Sequence, residues 1–177
     1  TSSNLSSSRA LRDVTEQYGG DYYAAAVGEV NVTTRMKECG CLIGGEGNGG
    51  VIYPALHYGR DAMVGVALFL TNLAYKNIKV SELLATYPKY VIAKNKIELS
   101  DSALIDRILE EVKSVYASED INTIDGVKIS FEDRKEWVHL RRSNTEPIIR
   151  IYAEAATKEA ADALAQQIID IAESIIK

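Results

Sequence analysis

The sequence has two cysteines, Cys39 and Cys41, two histidines, and no apolar run near the roughly 20 residues a membrane-spanning helix needs. Cysteines one residue apart cannot frame a disulfide-stapled fold, and C-x-C without further Cys or His partners falls short of a metal-site pattern. Basic residues are outnumbered, 20 Lys+Arg against 25 Asp+Glu, giving a formal net charge of −5. A general nucleic-acid binder shows the opposite balance. The opening TSSNLSSSR lacks the basic-then-apolar layout of a secretory signal. Repeats, charge blocks, low-complexity tracts and D-x-D metal motifs are all missing. The expectation is a reduced, cytoplasmic protein that works without nucleic acid or membrane.

What is present suits a globular chain: 177 residues, 46% hydrophobic and 25% charged, enough for one large or two small domains. Ser6, Ser7 and Ser8 are good N-cap types, and Ala10, Leu11, Val14 and Tyr18 follow on one helical stripe ending at Gly19-Gly20. The chain thus opens almost directly on a helix. An extended stretch over 22–26 leads to a second helix, opened by Gly28 and stopped by Gly40, with Val32, Met36 and Cys39 inward. Residues 41–43 read as a buried strand, 44–50 as a glycine loop, 51–53 as another strand, and 60–75 as a long apolar helix. Ser81 caps a short helical turn, which Tyr87-Pro88 breaks. This alternation predicts an α/β domain with a mixed sheet over 1–86.

Residues 87–177 change character. A strand over 90–97 and a helix over 102–116 precede strands at 121–124 and 127–131, joined by the hairpin dipeptide Asp125-Gly126. Strands at 137–141 and 148–153 bracket RRSNTEP, and Thr157 starts a last helix. Grouped strands flanked by helices predict an α+β domain with an antiparallel sheet.

Two segments carry chemistry. In GGEGNGG (44–50) the glycines admit close approach, while Glu46 and Asn48 project at a strand end. A carboxylate there accepts two hydrogen bonds at once, which suits the hydroxyls of a polyol. The loop is not a Walker sequence, since no Lys-Ser or Lys-Thr follows the glycines. A plain hairpin with solubilising residues accounts for the same pattern. In the second segment, Arg141, Arg142, Ser143, Asn144 and Thr145 assemble guanidinium, hydroxyl and amide donors for a phosphate dianion, and Arg150 projects from the next strand. The alternative is a polar turn with Arg150 paired to Glu154 or Glu132. Neither His57 nor His139 has a nucleophile or metal set beside it, and the serine run has no base near it.

Together the two loops, with VGEVNV (27–32) and HYGRDAMVG (57–65), resemble the third and fourth domains of the α-D-phosphohexomutase superfamily. That superfamily includes phosphoglucomutase, phosphomannomutase and phosphoglucosamine mutase. The resemblance implies that Glu46 and Asn48 bind hexose hydroxyls and that Arg141, Ser143, Asn144 and Thr145 bind phosphate. Gly28, Glu29, Arg142 and Arg150 are secondary positions. Many members have Glu-x-Ser-Gly-His where this chain has Glu46-Gly47-Asn48-Gly49-Gly50, and a His where it has Glu29. Neither the phosphoserine segment nor the magnesium loop of the superfamily occurs in these residues. The resemblance therefore implies the C-terminal part of a mutase, beginning inside the third domain, with no catalytic residue of its own. It also implies Mg2+ held outside these residues, a hexose 1,6-bisphosphate intermediate and activator, and N-terminal domains of the same polypeptide as partners. The fragment alone is expected to be inactive. A stand-alone phosphosugar- or anion-binding module without chemistry is the other reading.

Overall fold

Three polar residues form the first strand. In the computed structural model, which describes residues 1–99, 103–143 and 146–176, β1 (Ser2–Asn4) precedes any helix and all three of its residues are buried. This corrects the reading of an opening helix. A strand without apolar alternation leaves no periodic signal; two of its three side chains find polar partners inside. Ser3 Oγ lies 2.9 Å from the Tyr22 hydroxyl, and Asn4 Nδ2 donates to Glu46 Oε1 at 2.9 Å.

The chain divides into two units, Thr1–Lys89 and Tyr90–Lys177. In the first, α1 (Ala10–Gln17) and β2 (Tyr23–Ala25) follow β1, then α2 (Glu29–Cys39) and β3 (Gly44–Glu46). β1 runs parallel to both β2 and β3. Two antiparallel strands, β4 (Gly50–Tyr53) and β5 (His57–Arg60), complete a mixed sheet of order β2-β1-β3-β4-β5. Val32 and Met36 of α2 pack with Ala25, Cys41 and Ile52 to form the core. The strand expected over 41–43 lies instead within the glycines, and Leu42 is 82% exposed. Backbone proximity explains the shift: a Cβ on Gly44 would stand 2.7 Å from Ser2 O, and one on Gly45 2.2 Å from Gly50 O. Only glycine permits strands this close.

Helix α3 (Ala62–Lys76) is capped by Asp61, which accepts from the Val64 N–H at 3.0 Å. Its apolar residues do not enter the core, and Met63, Val66, Leu70 and Tyr75 stay exposed. Helix α4 (Val80–Ala85) starts from Lys79, not Ser81: the Glu82 carboxylate accepts from the Lys79 N–H at 2.7 Å.

In the second unit β6 (Val91–Glu98) precedes α5 (Ala103–Val115), β7 (Asp120–Asn122), β8 (Val127–Phe131), β9 (Glu136–Arg142), β10 (Ile148–Ala155) and α6 (Lys158–Ile176). Ser102, read from sequence as part of the helix, lies outside the described residues. All strand pairs are antiparallel, in the order β6-β10-β9-β8-β7. Period-2 alternation sends Val127, Ile129, Val138, Leu140, Ile149 and Ile151 to one face, where they meet Ile105, Ile108, Leu164 and Ile168 of α5 and α6. The connection from β7 to β8 spans 123–126, longer than the dipeptide alone, because Asn122 Oδ1 takes the Ile124 N–H and ends the strand early.

Among the described residues, no helix is long and apolar enough to cross a membrane. Replacing Ile151, fully buried in β10, by Ala should destabilise the second unit by about 2–5 kcal/mol. Ile124→Ala, at a half-exposed turn position, should change it by less than about 0.5 kcal/mol. Urea titration of both variants measures the contrast.

Candidate functional site

Parallel strands end on one edge of a sheet, and the carboxyl ends of such strands are where open α/β sheets hold ligands. In the first unit β1 ends at Asn4, β2 leads through Ala25 to Gly28, and β3 ends at Glu46. The Glu46 side chain is 6% exposed. Its Oε1 accepts from Asn4 Nδ2 at 2.9 Å and from the Gly28 N–H, at the N-terminus of α2, at 3.2 Å. Asn4 Oδ1 in turn accepts from the Ser6 N–H at 3.0 Å and from Ser7 Oγ at 2.9 Å, while Ser7 Oγ accepts from the Gly47 N–H at 2.9 Å. The carboxylate is therefore fixed from two sides. Asn48 sits exposed in the turn, its Oδ1 accepting from the Gly50 N–H at 3.2 Å. A pocket of about 300 Å³ lies along this hairpin, lined by Ser3, Ser7, Ser8, Gly45, Glu46 and Gly47 among others.

Glu29, at the first position of α2, takes the Arg60 N–H on Oε1 at 3.1 Å and Arg60 Nε on Oε2 at 2.7 Å. These two donors, the backbone one foremost, hold its carboxyl below the usual range. Arg60 Nη1 lies 3.8 Å from Glu46 Oε2. The structure thus brings Gly28, Glu29 and Glu46 together, while Asn48 lies exposed in the adjoining turn. It adds Asn4, Ser7 and Arg60, which sequence reasoning missed. Arg60 stood inside the HYGRDAMVG segment without being singled out; Asn4 stood in a strand with no periodic signal. His57 Nε2 lies 3.1 Å from Asp61 Oδ2.

In the second unit the loop between β9 and β10 carries the other candidates. Asn144 and Thr145 lie outside the described residues. Ser143 is buried, and its N–H donates to Ile148 O at 3.0 Å, closing the base of the loop. Arg150 stands opposite Arg141 on one neighbouring strand and Lys96 on the other. Directly opposed residues share a face, so three cations form one row across β9, β10 and β6. Arg141 Nε lies 3.3 Å from Asp125 Oδ2, Arg150 Nη2 3.7 Å from Glu146 Oε2, and Lys96 Nζ 2.8 Å from Glu98 Oε1. Arg150 therefore pairs with Glu146 rather than with Glu154 or Glu132. Arg142 alternates to the other face, where its Nη2 meets Asp106 Oδ1 at 3.1 Å.

Behind this row His139 is buried, its Nε2 donating to Asp125 O at 2.6 Å. The carbonyl can only accept, so Nε2 carries the proton. Burial first, with Lys128 and Arg141 nearby, pushes its pKa down to about 4. Asp125 thus touches both the imidazole and Arg141. Among the described residues no group of three or more His, Cys, Asp or Glu is placed to hold a metal ion.

The sequence matches the family description "Phosphoglucomutase/phosphomannomutase, alpha/beta/alpha domain III" over residues 2–90 and "Phosphoglucomutase/phosphomannomutase, C-terminal domain" over 90–171. It is 35% identical over 169 residues to a probable phosphoglucosamine mutase of Methanopyrus kandleri, covering 95% of this chain and 37% of that protein. It is 36% identical over 176 residues to a phosphoglucomutase/phosphomannomutase of Thermococcus kodakarensis, covering 98% of this chain and 38% of that one. The chain thus spans little more than a third of the length of these relatives. A crystal structure of a phosphoglucomutase/phosphomannomutase family protein from Burkholderia thailandensis superposes with a TM-score of 0.80 at 23% identity, over 98% of this chain and 37% of that one. At that identity the likeness shows the fold alone.

The depressed His139 pKa has a definite sign. Between about 6.5 and about 4 the unfolded chain binds a proton that the folded unit does not, so stability is complete above the unfolded value and is lost as pH falls toward 4. The loss should reach roughly 3 kcal/mol. His139→Gln should flatten that part of the profile in urea titrations from pH 7 to pH 4.

Proposed function

The chain belongs to the phosphoglucomutase/phosphomannomutase family, and from that premise we propose that it supplies the sugar-reading and phosphate-gripping parts of a phosphohexomutase. The enzyme interconverts hexose 1-phosphate and hexose 6-phosphate through a phosphoserine and a hexose 1,6-bisphosphate, with nucleophile and magnesium held by residues of the full-length protein outside these 177. Magnesium would neutralise charge on the transferring phosphoryl group. The described residues offer no metal cluster, and the roles that follow belong to this chain's own side chains.

The observation that carries the reading is the cationic row of Lys96, Arg150 and Arg141 at the loop that Ser143 enters. Guanidinium forks suit a phosphate dianion through paired charge-assisted hydrogen bonds. Arg141, Ser143, Asn144 and Thr145 bind the phosphate that is not reacting, with Arg150 beside them. Glu46, its Oε1 already occupied, accepts sugar hydroxyls on Oε2, and Asn48 offers its amide from the turn. The substrate must be read in two orientations, one for each half-reaction. A site that grips phosphate and a site that reads hydroxyls allow this, because phosphoryl transfer depends mainly on positioning and charge. Relatives named phosphoglucosamine mutase make glucosamine phosphate the first substrate to try, with glucose and mannose phosphates beside it.

In the full-length protein, Arg141→Ala should raise KM for hexose phosphate by on the order of 10- to 150-fold, the loss of one charge-assisted contact. An unchanged KM would count against the phosphate role. The purified 177-residue chain should show no turnover of glucosamine 1-phosphate or glucose 1-phosphate in a coupled assay; measurable turnover overturns the assignment of nucleophile and metal to other residues.

A further inference from the structure

A sugar hydroxyl both donates and accepts, whereas an ionised carboxylate only accepts. Glu46 can therefore satisfy half of each hydroxyl it meets. The missing donors stand next to it. Arg60 places Nη1 3.8 Å from Glu46 Oε2, too far for a direct hydrogen bond, yet close enough for one oxygen to lie within reach of both. Its Nε and backbone N–H are committed to Glu29, which fixes the guanidinium plane. Among the described residues Nη1 and Nη2 make no hydrogen bond.

Room for this side chain comes from Gly50. A Cβ on Gly50 would stand 2.5 Å from Arg60 Cδ and 2.9 Å from Cγ, so any side chain there pushes Arg60 off the hairpin. Glu29, Gly50 and Arg60 thus depend on one another: one residue anchors the guanidinium, one leaves it space, and one brings it to the carboxylate.

We propose that Arg60 is a substrate-contacting residue of the hexose site, donating from its terminal nitrogens to the same hydroxyl that donates to Glu46 Oε2. The proposal rests on the hexose-binding reading of Glu46. Glu29 acts through Arg60 and is a positioning residue.

The test uses the full-length protein and a set of monodeoxy hexose 1-phosphates beside the parent sugar. Arg60→Ala should raise KM for the parent at least tenfold. The deoxy analogue lacking the shared hydroxyl should lose affinity with the unaltered protein but lose no more with Arg60→Ala. Arg60→Lys keeps a charge beside Glu29 and should show the same coupling if the alanine variant fails to fold. Gly50→Ala should reproduce the effect with Arg60 still present. If every deoxy analogue loses equally with and without Arg60, the residue only supports the hairpin and the proposal falls, while Glu46→Gln still raises KM. If Glu46→Gln also leaves KM unchanged, the hexose reading itself is wrong and the proposal goes with it.

Discussion

A nearly buried carboxylate is tolerated only when it is hydrogen-bonded or faces an opposite charge, and the first unit meets that requirement for Glu46 with two donors on Oε1 and a guanidinium near Oε2. Three chain segments far apart in sequence end at it. Asn4 comes from the strand beside it, Gly28 from the start of α2, and Arg60 from the end of the hairpin. Asn4 can serve only because β1 lies parallel to β3 and stops at the same edge. That register depends on Gly44 and Gly45, where any side chain would strike a neighbouring backbone. The glycines thus act first on strand spacing, and through it on the carboxylate.

The second unit uses its sheet in two ways. One face is an aliphatic layer under α5 and α6. The other carries Lys96, Arg141, Arg150 and His139 in register, with Trp137 Nε1 donating to the buried Glu154 Oε1 at 2.7 Å across the strands. Like charges opposed across strands repel. Asp125, Glu146 and Glu98 offset this at the rim, one acidic partner for each cation. The arrangement lines up three cations across neighbouring strands, each with its own carboxylate, in a chain whose net charge is −5.

Much of this was readable in the residues. Periodicity located α2, α5, α6 and all the strands of the second unit, because each buries one face against a single core. The two chemical loops stood out by composition, as a run of glycines and a cluster of polar donors. Three features were not. Ser2, Ser3 and Asn4 form an interior strand, and the polar partners of Ser3 and Asn4 become visible only in three dimensions. Residues 41–43 looked like a strand by hydrophobicity, but the need for backbone proximity moved the strand into the glycines that follow. Arg60 and Asp125 are charged residues near turns, a pattern that usually marks solvent; their roles come from what lies across the hairpin. The apolar pattern of α3 was read correctly as a helix, yet hydrophobicity alone did not report that Met63, Val66 and Leu70 remain uncovered.

The turn at Asp125-Gly126 bears on how this fold can change over time. Surface turns are ordinarily where chains accept added residues, because their backbone is solvated and makes few commitments. This one is committed three times. Asp125 O receives the His139 imidazole, Asp125 Oδ2 faces Arg141, and Gly126, at φ +77°, lies so close that a Cβ would stand 2.1 Å from Leu140 O. Lengthening or permuting the chain here would loosen the guanidinium two strands away in sequence order. Family members that vary in loop length should therefore have conserved the size of this connection, with insertions falling at other strand ends.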